Sequence, residues 1–158
     1  MNVAERKIWI LSGPVQSGKT TRLLMWLHNK KNVWGILTPV INGQRFFMDA
    51  SNKEIFAMEA IQGETDVIAV GKYIFSKDAF VMAEKVLQNS IHKKGYLIVD
   101  EIGKLEIRGE GFCNVLFEIL NHAGQELRLI LVIREELLDA VLQFWNINKY
   151  QNFNELNE

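Results

Sequence analysis

Eight consecutive residues, Gly13-Pro14-Val15-Gln16-Ser17-Gly18-Lys19-Thr20, place glycine at both ends of a short loop and follow the second glycine with a lysine and a hydroxyl. They satisfy G-x-x-x-x-G-K-[ST] at every fixed position, a match that average residue usage would produce in roughly half a per cent of chains of this length. These residue types suit the cradling of a polyphosphate. Lacking Cβ atoms, Gly13 and Gly18 let the backbone curl around a phosphate, and the amides of residues 15–20 then point inward at the positive end of a following helix. The Lys19 ammonium reaches the outer phosphates as a point charge, and the Thr20 hydroxyl suits a Mg²⁺ ion. The expected nucleotide-binding set is Gly13, Pro14, Val15, Gln16, Ser17, Gly18, Lys19, Thr20 and Thr21. A plain glycine turn capping a helix has no need of the Lys-Thr pair.

A second group of residues complements this loop. The apolar tetrad Tyr96-Leu97-Ile98-Val99 ends in Asp100-Glu101, and a carboxylate at the C-terminal tip of a central parallel strand faces the crevice where open α/β sheets bind ligands. Asp100 is the expected partner of Thr20 in holding Mg²⁺, and Glu101 the group that orients and deprotonates an attacking water. Lys19 and Glu101 are therefore the candidate catalytic residues. Taken alone, such a tetrad is also how a strand runs out into solvent; the phosphate loop is what gives it chemical meaning. Arg134 follows the apolar run 129–133, where a cis-acting arginine could touch a γ-phosphate, and is the candidate transition-state arginine. Its competing reading is a solvated residue paired with Glu135 or Glu136. Lys104 and Arg108 carry the same two readings.

These groups meet only if strands and helices bring them together. Residues 7–12 form a short apolar strand stopped by Gly13-Pro14, and 19–28 set Leu23, Leu24 and Leu27 on one helical face. Residues 33–37 read as a second strand, closed at Thr38-Pro39 because the residue before a proline is pushed out of the α region. Over 40–73 the pattern changes to β-prone pieces at 45–50, 54–60 and 67–73, which predict a small antiparallel insertion. Ser76 is the expected N-cap of a helix reaching about residue 90. Residues 96–99 read as a doubly covered central strand, and Gly103, Gly109 and Gly111 mark a loop before a helix that begins near Phe112. A buried strand at 127–133 and a fourth helix through Leu137, Leu138, Val141 and Leu142 follow. From Asn146 the polar sequence predicts a frayed tail. Strands alternating with helices predict a mostly parallel α/β sheet with right-handed crossovers.

Composition narrows the partners. With 158 residues, 48% apolar and 23% charged, the chain reads as one domain over 1–158. A net charge of −1 supplies no field for gathering nucleic acid. No apolar run exceeds five residues, against the roughly 20 that cross a bilayer. Neither nucleic acid nor membrane is an expected partner, and no feature names a protein partner. The lone Cys113 excludes an internal disulfide framework and, with no targeting signal visible, suits the cytoplasm. His28, His92 and His122 fit no zinc spacing. Asn148-Lys149-Tyr150-Gln151 lacks the acid of a guanine-reading N-K-x-D and reads as tail. Phe46, Phe47, Phe56 and Met58 read as core in preference to a base-stacking or partner surface.

The block Val99-Asp100-Glu101-Ile102-Gly103-Lys104-Leu105-Glu106, with Gly35-Ile36-Leu37-Thr38 and Val70-Gly71-Lys72-Tyr73, resembles the P-loop nucleoside-triphosphatase family related to the thermophilic and cancer-related NTPases. That family has a phosphate loop, a D-E-I-G-K-M-E-like Walker-B block and a V-G-K-Y element. The resemblance implies a RecA-like, ASCE-type sheet in which another strand separates the phosphate-loop strand from the Asp100 strand. It also implies Mg²⁺-dependent hydrolysis of NTPs, ATP and GTP among them, to NDP and phosphate with relaxed base choice. Carried over by position, Gly13 to Thr20 bind phosphates, Asp100 the metal, and Glu101 is the base. Thr38-Pro39-Val40-Ile41-Asn42-Gly43-Gln44-Arg45 departs from the family pattern: it is shorter than the T-x-E-x-R segment and its turn, lacks the acid and keeps a single arginine, Arg45.

Two other functions share these residues. In a small P-loop kinase Glu101 would bind an acceptor hydroxyl, but such kinases carry an arginine-rich lid and arginine is sparse here. In a slow, nucleotide-dependent binding module the insertion would meet a partner.

Overall fold

The computed structural model describes residues 7–14 and 17–156. Val15 and Gln16 of the expected binding set lie outside the described residues. The strands are β1 (Ile8–Gly13), β2 (Val33–Leu37), β3 (Val40–Ile41), β4 (Gln44–Asp49), β5 (Ile55–Ala57), β6 (Val67–Val70), β7 (Tyr73–Ser76), β8 (Gly95–Ile102), β9 (Leu127–Arg134) and β10 (Gln151–Asn152). The helices are α1 (Lys19–Leu27), α2 (Lys77–Ser90), α3 (Lys104–Ile107), α4 (Cys113–His122) and α5 (Leu138–Phe144), with short 3-10 turns before α5 and after β10.

The main sheet runs β10-β1-β9-β8-β2-β4-β3, with β5 beside β4. Its β10-β1-β9-β8-β2 part is parallel, and β4 reverses direction against β2. The strand between the phosphate-loop strand and the Asp100 strand is β9, the insertion implied by the resemblance. Alternation along the central strands feeds two apolar layers. Ile8, Ile10, Leu97, Val99, Leu129 and Leu131 face the layer that includes α2 and α4, whereas Trp9, Leu11, Ile98, Ile130 and Val132 face Leu23 and Leu27 of α1. Covered on both faces, such strands read as unbroken apolar runs, which is why they were legible.

Gly35 belongs to β2 with φ +103°, and a Cβ there would stand 2.1 Å from the Ile98 carbonyl oxygen of β8. The close strand approach and the left-handed backbone both exclude a side chain. We expect Gly35→Ala to lower the unfolding free energy by roughly 2–4 kcal/mol, read as a shifted urea midpoint; an unchanged midpoint would show that β2 can move away.

Three expectations are corrected. Residues 67–73 are not one piece: Gly71, at φ +58°, turns the chain so that β6 and β7 pair as a separate hairpin. The glycine-rich stretch after Asp100 is not all loop, because α3 forms within it. The tail is docked where fraying was expected. Trp9 and Ile10 of β1 register with Gln151 and Asn152, and buried Phe153 packs edge-on against Trp26. One apolar ring and an open strand edge outweigh the polar composition around them. In the insertion, Phe47 is fully buried against Phe80 and Phe112, and Met58 is buried with them, as core.

Candidate active site

The site lies at the C-terminal edge of the parallel strands. Gly18, at φ +82°, is the left-handed residue that turns the loop into α1. Lys19 is buried, and its Nζ donates to the carbonyls of Pro14 at 2.7 Å and Gly13 at 3.2 Å. The ammonium thus rests on the loop's own oxygens. One helical step on, Thr20 Oγ1 donates to Asp100 Oδ2 at 2.8 Å, and the same carboxylate oxygen accepts the Thr38 backbone N–H at 3.0 Å. Three elements, α1, β8 and the end of β2, therefore converge on one acid. Ser17, Thr20 and Thr21 line a cavity of about 350 Å³ with Thr38, Arg45, Asp100 and Glu101.

Asp100 is 1% exposed, and its Oδ1 is buried with no hydrogen-bond partner, as is the Thr38 hydroxyl. Burial pushes the Asp100 pKa up to about 6, opposed by the Thr38 N–H and helped by the neighbouring Glu101. A desolvated carboxylate with an orphan oxygen beside a threonine hydroxyl is a hard-oxygen donor set suited to Mg²⁺. The residues expected to hold that ion fit it.

Glu101 follows with φ +66°, at an irregularity in the β8–β9 pairing between Val99 and Ile102. Left-handed backbone at a non-glycine residue costs roughly 1–2 kcal/mol, and here it separates the aim of two adjacent acids. Glu101 Oε2 meets Arg45 Nη1 at 3.1 Å, and Oε1 lies 3.6 Å from Arg134 Nε. Arg134 also approaches Glu136 at 3.9 Å, the pairing named in its competing reading. Arg45 stacks over the Tyr73 ring at 4.7 Å. Burial opposes its charge, yet Glu101 and Tyr73 more than offset this and hold its pKa above the ordinary value. Beyond Glu101 lies a mainly apolar cavity of about 90 Å³, walled by Phe47, Phe75, Phe80 and Phe112 and rimmed by Arg45, Lys104 and Arg134.

Arg108 is not at the site. It bonds Glu110 and the Ala69 carbonyl, tying the turn after α3 to the β6–β7 hairpin. Glu106, absent from the expected site, is buried beside it: Oε1 accepts the Gly103 N–H at 2.8 Å and Oε2 the Phe112 N–H at 3.0 Å. It thereby straps the turn after Glu101 to the start of α4. A Cβ on Gly111 would stand 2.0 Å from Glu106 Oε2, so only glycine leaves room for the strap. Burial lifts the Glu106 pKa to about 7, against its two N–H donors. Because the folded-state value is raised, this group contributes stability that is present at low pH and lost as pH rises towards 7. We expect wild-type stability to fall between about pH 4.5 and 7, and Glu106→Gln to flatten that slope in thermal melts across the same range. Equal slopes would show that Glu106 does not carry it.

Sequence reasoning missed Arg45, Thr38 and Tyr73 as site residues. The available signal was positional: Thr38 ends the strand that pairs with the Asp100 strand, and Arg45 is the arginine retained where the family pattern is shortened.

A phosphate loop on β1, an acid pair at the end of β8 and the intervening β9 define a mostly parallel P-loop NTPase fold, as expected. A family model described as NTPase matches residues 8–155, and the chain belongs to that family. The fold is similar to the crystal structure of THEP1 from the hyperthermophile Aquifex aeolicus, with TM-score 0.68 and 18% identity over 92% of this chain and 87% of that one. It is also similar to the solution structure of a human cancer-related nucleoside triphosphatase, with TM-score 0.67 and 21% identity over 96% of this chain and 90% of that one. No curated protein matches the sequence. Among the described residues no helix is long and apolar enough to cross a membrane.

Proposed function

We propose that this protein hydrolyses nucleoside triphosphates, ATP and GTP among them, to the diphosphate and phosphate, with Mg²⁺ as cofactor and relaxed base choice. The observation that carries this is the convergence of Thr20 and Thr38 on Asp100, with its orphaned Oδ1, beside both the Lys19 loop and Glu101. Thr20 and Asp100 would hold Mg²⁺, which when bound neutralises charge on the phosphate oxygens. Lys19 exchanges the Gly13 and Pro14 carbonyls for outer phosphate oxygens. Glu101 aligns a water and takes its proton as the water oxygen bonds to the γ-phosphorus and the bond to the β-phosphate oxygen breaks. Arg134, 3.6 Å from Glu101, would complement charge on the departing phosphoryl group. The groups assigned here address the polyphosphate, which is the basis for relaxed base choice. A near-neutral chain with a free, buried Cys113 suits the cytoplasm, the location we propose.

One observation favours a second reading. The aromatic-walled cavity adjoining Glu101 could seat the apolar body of an acceptor whose hydroxyl replaces water. Incubation with Mg²⁺ and each NTP, following free phosphate with and without hydroxylic acceptors, separates the two. Release without acceptor supports hydrolysis; diphosphate formed only with an acceptor supports transfer, and binding without turnover supports a switch module.

A further inference from the structure

We propose that Arg45 reads the γ-phosphate, and that its contact with Glu101 is the resting half of a two-position device linking triphosphate recognition to release of the base. This rests on the hydrolytic reading above. In the structure both Glu101 oxygens face guanidinium groups, Arg45 on Oε2 and Arg134 on Oε1. A carboxylate held on both oxygens is poorly placed to accept a proton from water. Withdrawal of one of those cations opens an approach to Glu101 for the attacking water.

Geometry separates the two arginines. Among the described residues, Arg45 lines both the phosphate-loop cavity and the apolar cavity beyond Glu101, whereas Arg134 lines the apolar one. Arg45 enters from β4 in the insertion, which lies on the far side of the Asp100 strand from β1 and its loop in the strand order. Its Nε is buried with no hydrogen-bond partner, a donor left over by the resting arrangement. Tyr73 lies against the guanidinium, its ring centroid 4.7 Å away, and also hydrogen-bonds it through its side chain, a neutral partner beside the charged Glu101. A terminal phosphate offers several anionic oxygens to a fork of N–H donors and outcompetes a single carboxylate. A diphosphate, ending one phosphoryl group short, leaves Arg45 on Glu101.

The device implies reciprocal coupling. Glu101 and the γ-phosphate compete for one guanidinium, so neutralising Glu101 strengthens triphosphate binding, and it does so only through Arg45. Calorimetry on the full chain with Mg²⁺ tests this, using the β,γ-imido triphosphate analogue and the diphosphate as the two probes. In Arg45→Ala the analogue should lose roughly tenfold or more in affinity, with the diphosphate unchanged as an internal check that the cleft is folded. Arg45→Lys should recover part of the loss. In Glu101→Gln the analogue should bind roughly three- to tenfold tighter with the diphosphate unchanged, and this gain should vanish in the double variant Arg45→Ala/Glu101→Gln.

An unaltered analogue-to-diphosphate ratio in Arg45→Ala overturns the proposal and leaves the hydrolytic reading standing. So does a gain from Glu101→Gln that survives without Arg45, because it would report the general loss of a negative charge. A wild-type chain that binds neither probe overturns both.

Discussion

Replacing Lys19 by alanine is expected to weaken triphosphate binding and turnover together. In the structure this ammonium is buried on the Gly13 and Pro14 carbonyls, held in the loop it serves. Exchanging those neutral acceptors for anionic phosphate oxygens stabilises the bound ground state, and the same charge meets the γ-phosphoryl group as it leaves. Loss of one such contact raises KM by about tenfold and lowers kcat by roughly 10²–10³. Steady-state phosphate release over a nucleotide series measures both. Wild-type kinetics in this variant would remove the phosphate-loop assignment.

The second large effect separates binding from chemistry. Glu101→Gln keeps the shape and the hydrogen-bonding reach of the side chain but removes its capacity to take a proton. We expect kcat to fall by roughly 10²–10⁴, the usual contribution of a general base, while triphosphate affinity does not fall. Single-turnover measurements at saturating nucleotide show the loss free of product release. Turnover at the wild-type rate would move proton acceptance to another group. Asp100 is poorly suited to that role: one oxygen is engaged by Thr20 and Thr38, and the other is the donor assigned to Mg²⁺.

The two predictions differ because the two residues meet the substrate at different moments. In the proposed reaction Lys19 meets phosphate charge before as well as during the chemistry, so its loss is expected in both binding and rate. In the proposed reaction Glu101 takes a proton only as water attacks, so its loss is expected in the rate.

Much of the fold was legible in the sequence, and for a definite reason. Strands β1, β2, β8 and β9 are covered on both faces, so nearly every position must be apolar and the runs stand out from their surroundings. The phosphate loop was legible because its demands are local: a backbone that can adopt left-handed geometry at Gly18, followed at once by an ammonium and a hydroxyl. Asp100 and Glu101 could be read because they end such a run. The hairpin of β6 and β7 escaped, since a turn at Gly71-Lys72 interrupts what otherwise looks like one β-prone piece. The docking of β10 escaped too, because pairing along an open strand edge uses backbone groups that composition does not reveal.

Local chain chemistry by itself determined where a glycine-bounded loop meets a lysine and a threonine, which acids close a central apolar run, and that this central strand is covered on both faces. Tertiary structure alone decided that Thr20, Thr38 and Asp100 share one carboxylate oxygen, that Arg45 and Arg134 take opposite oxygens of Glu101, and that Glu106 straps the turn behind them. These contacts join residues far apart in the chain, and their existence depends on strand order and on a distorted residue at φ +66°. Periodicity and residue type report what a segment buries; they carry no information on which segment lies beside it, and the chemistry of this site is made between neighbours.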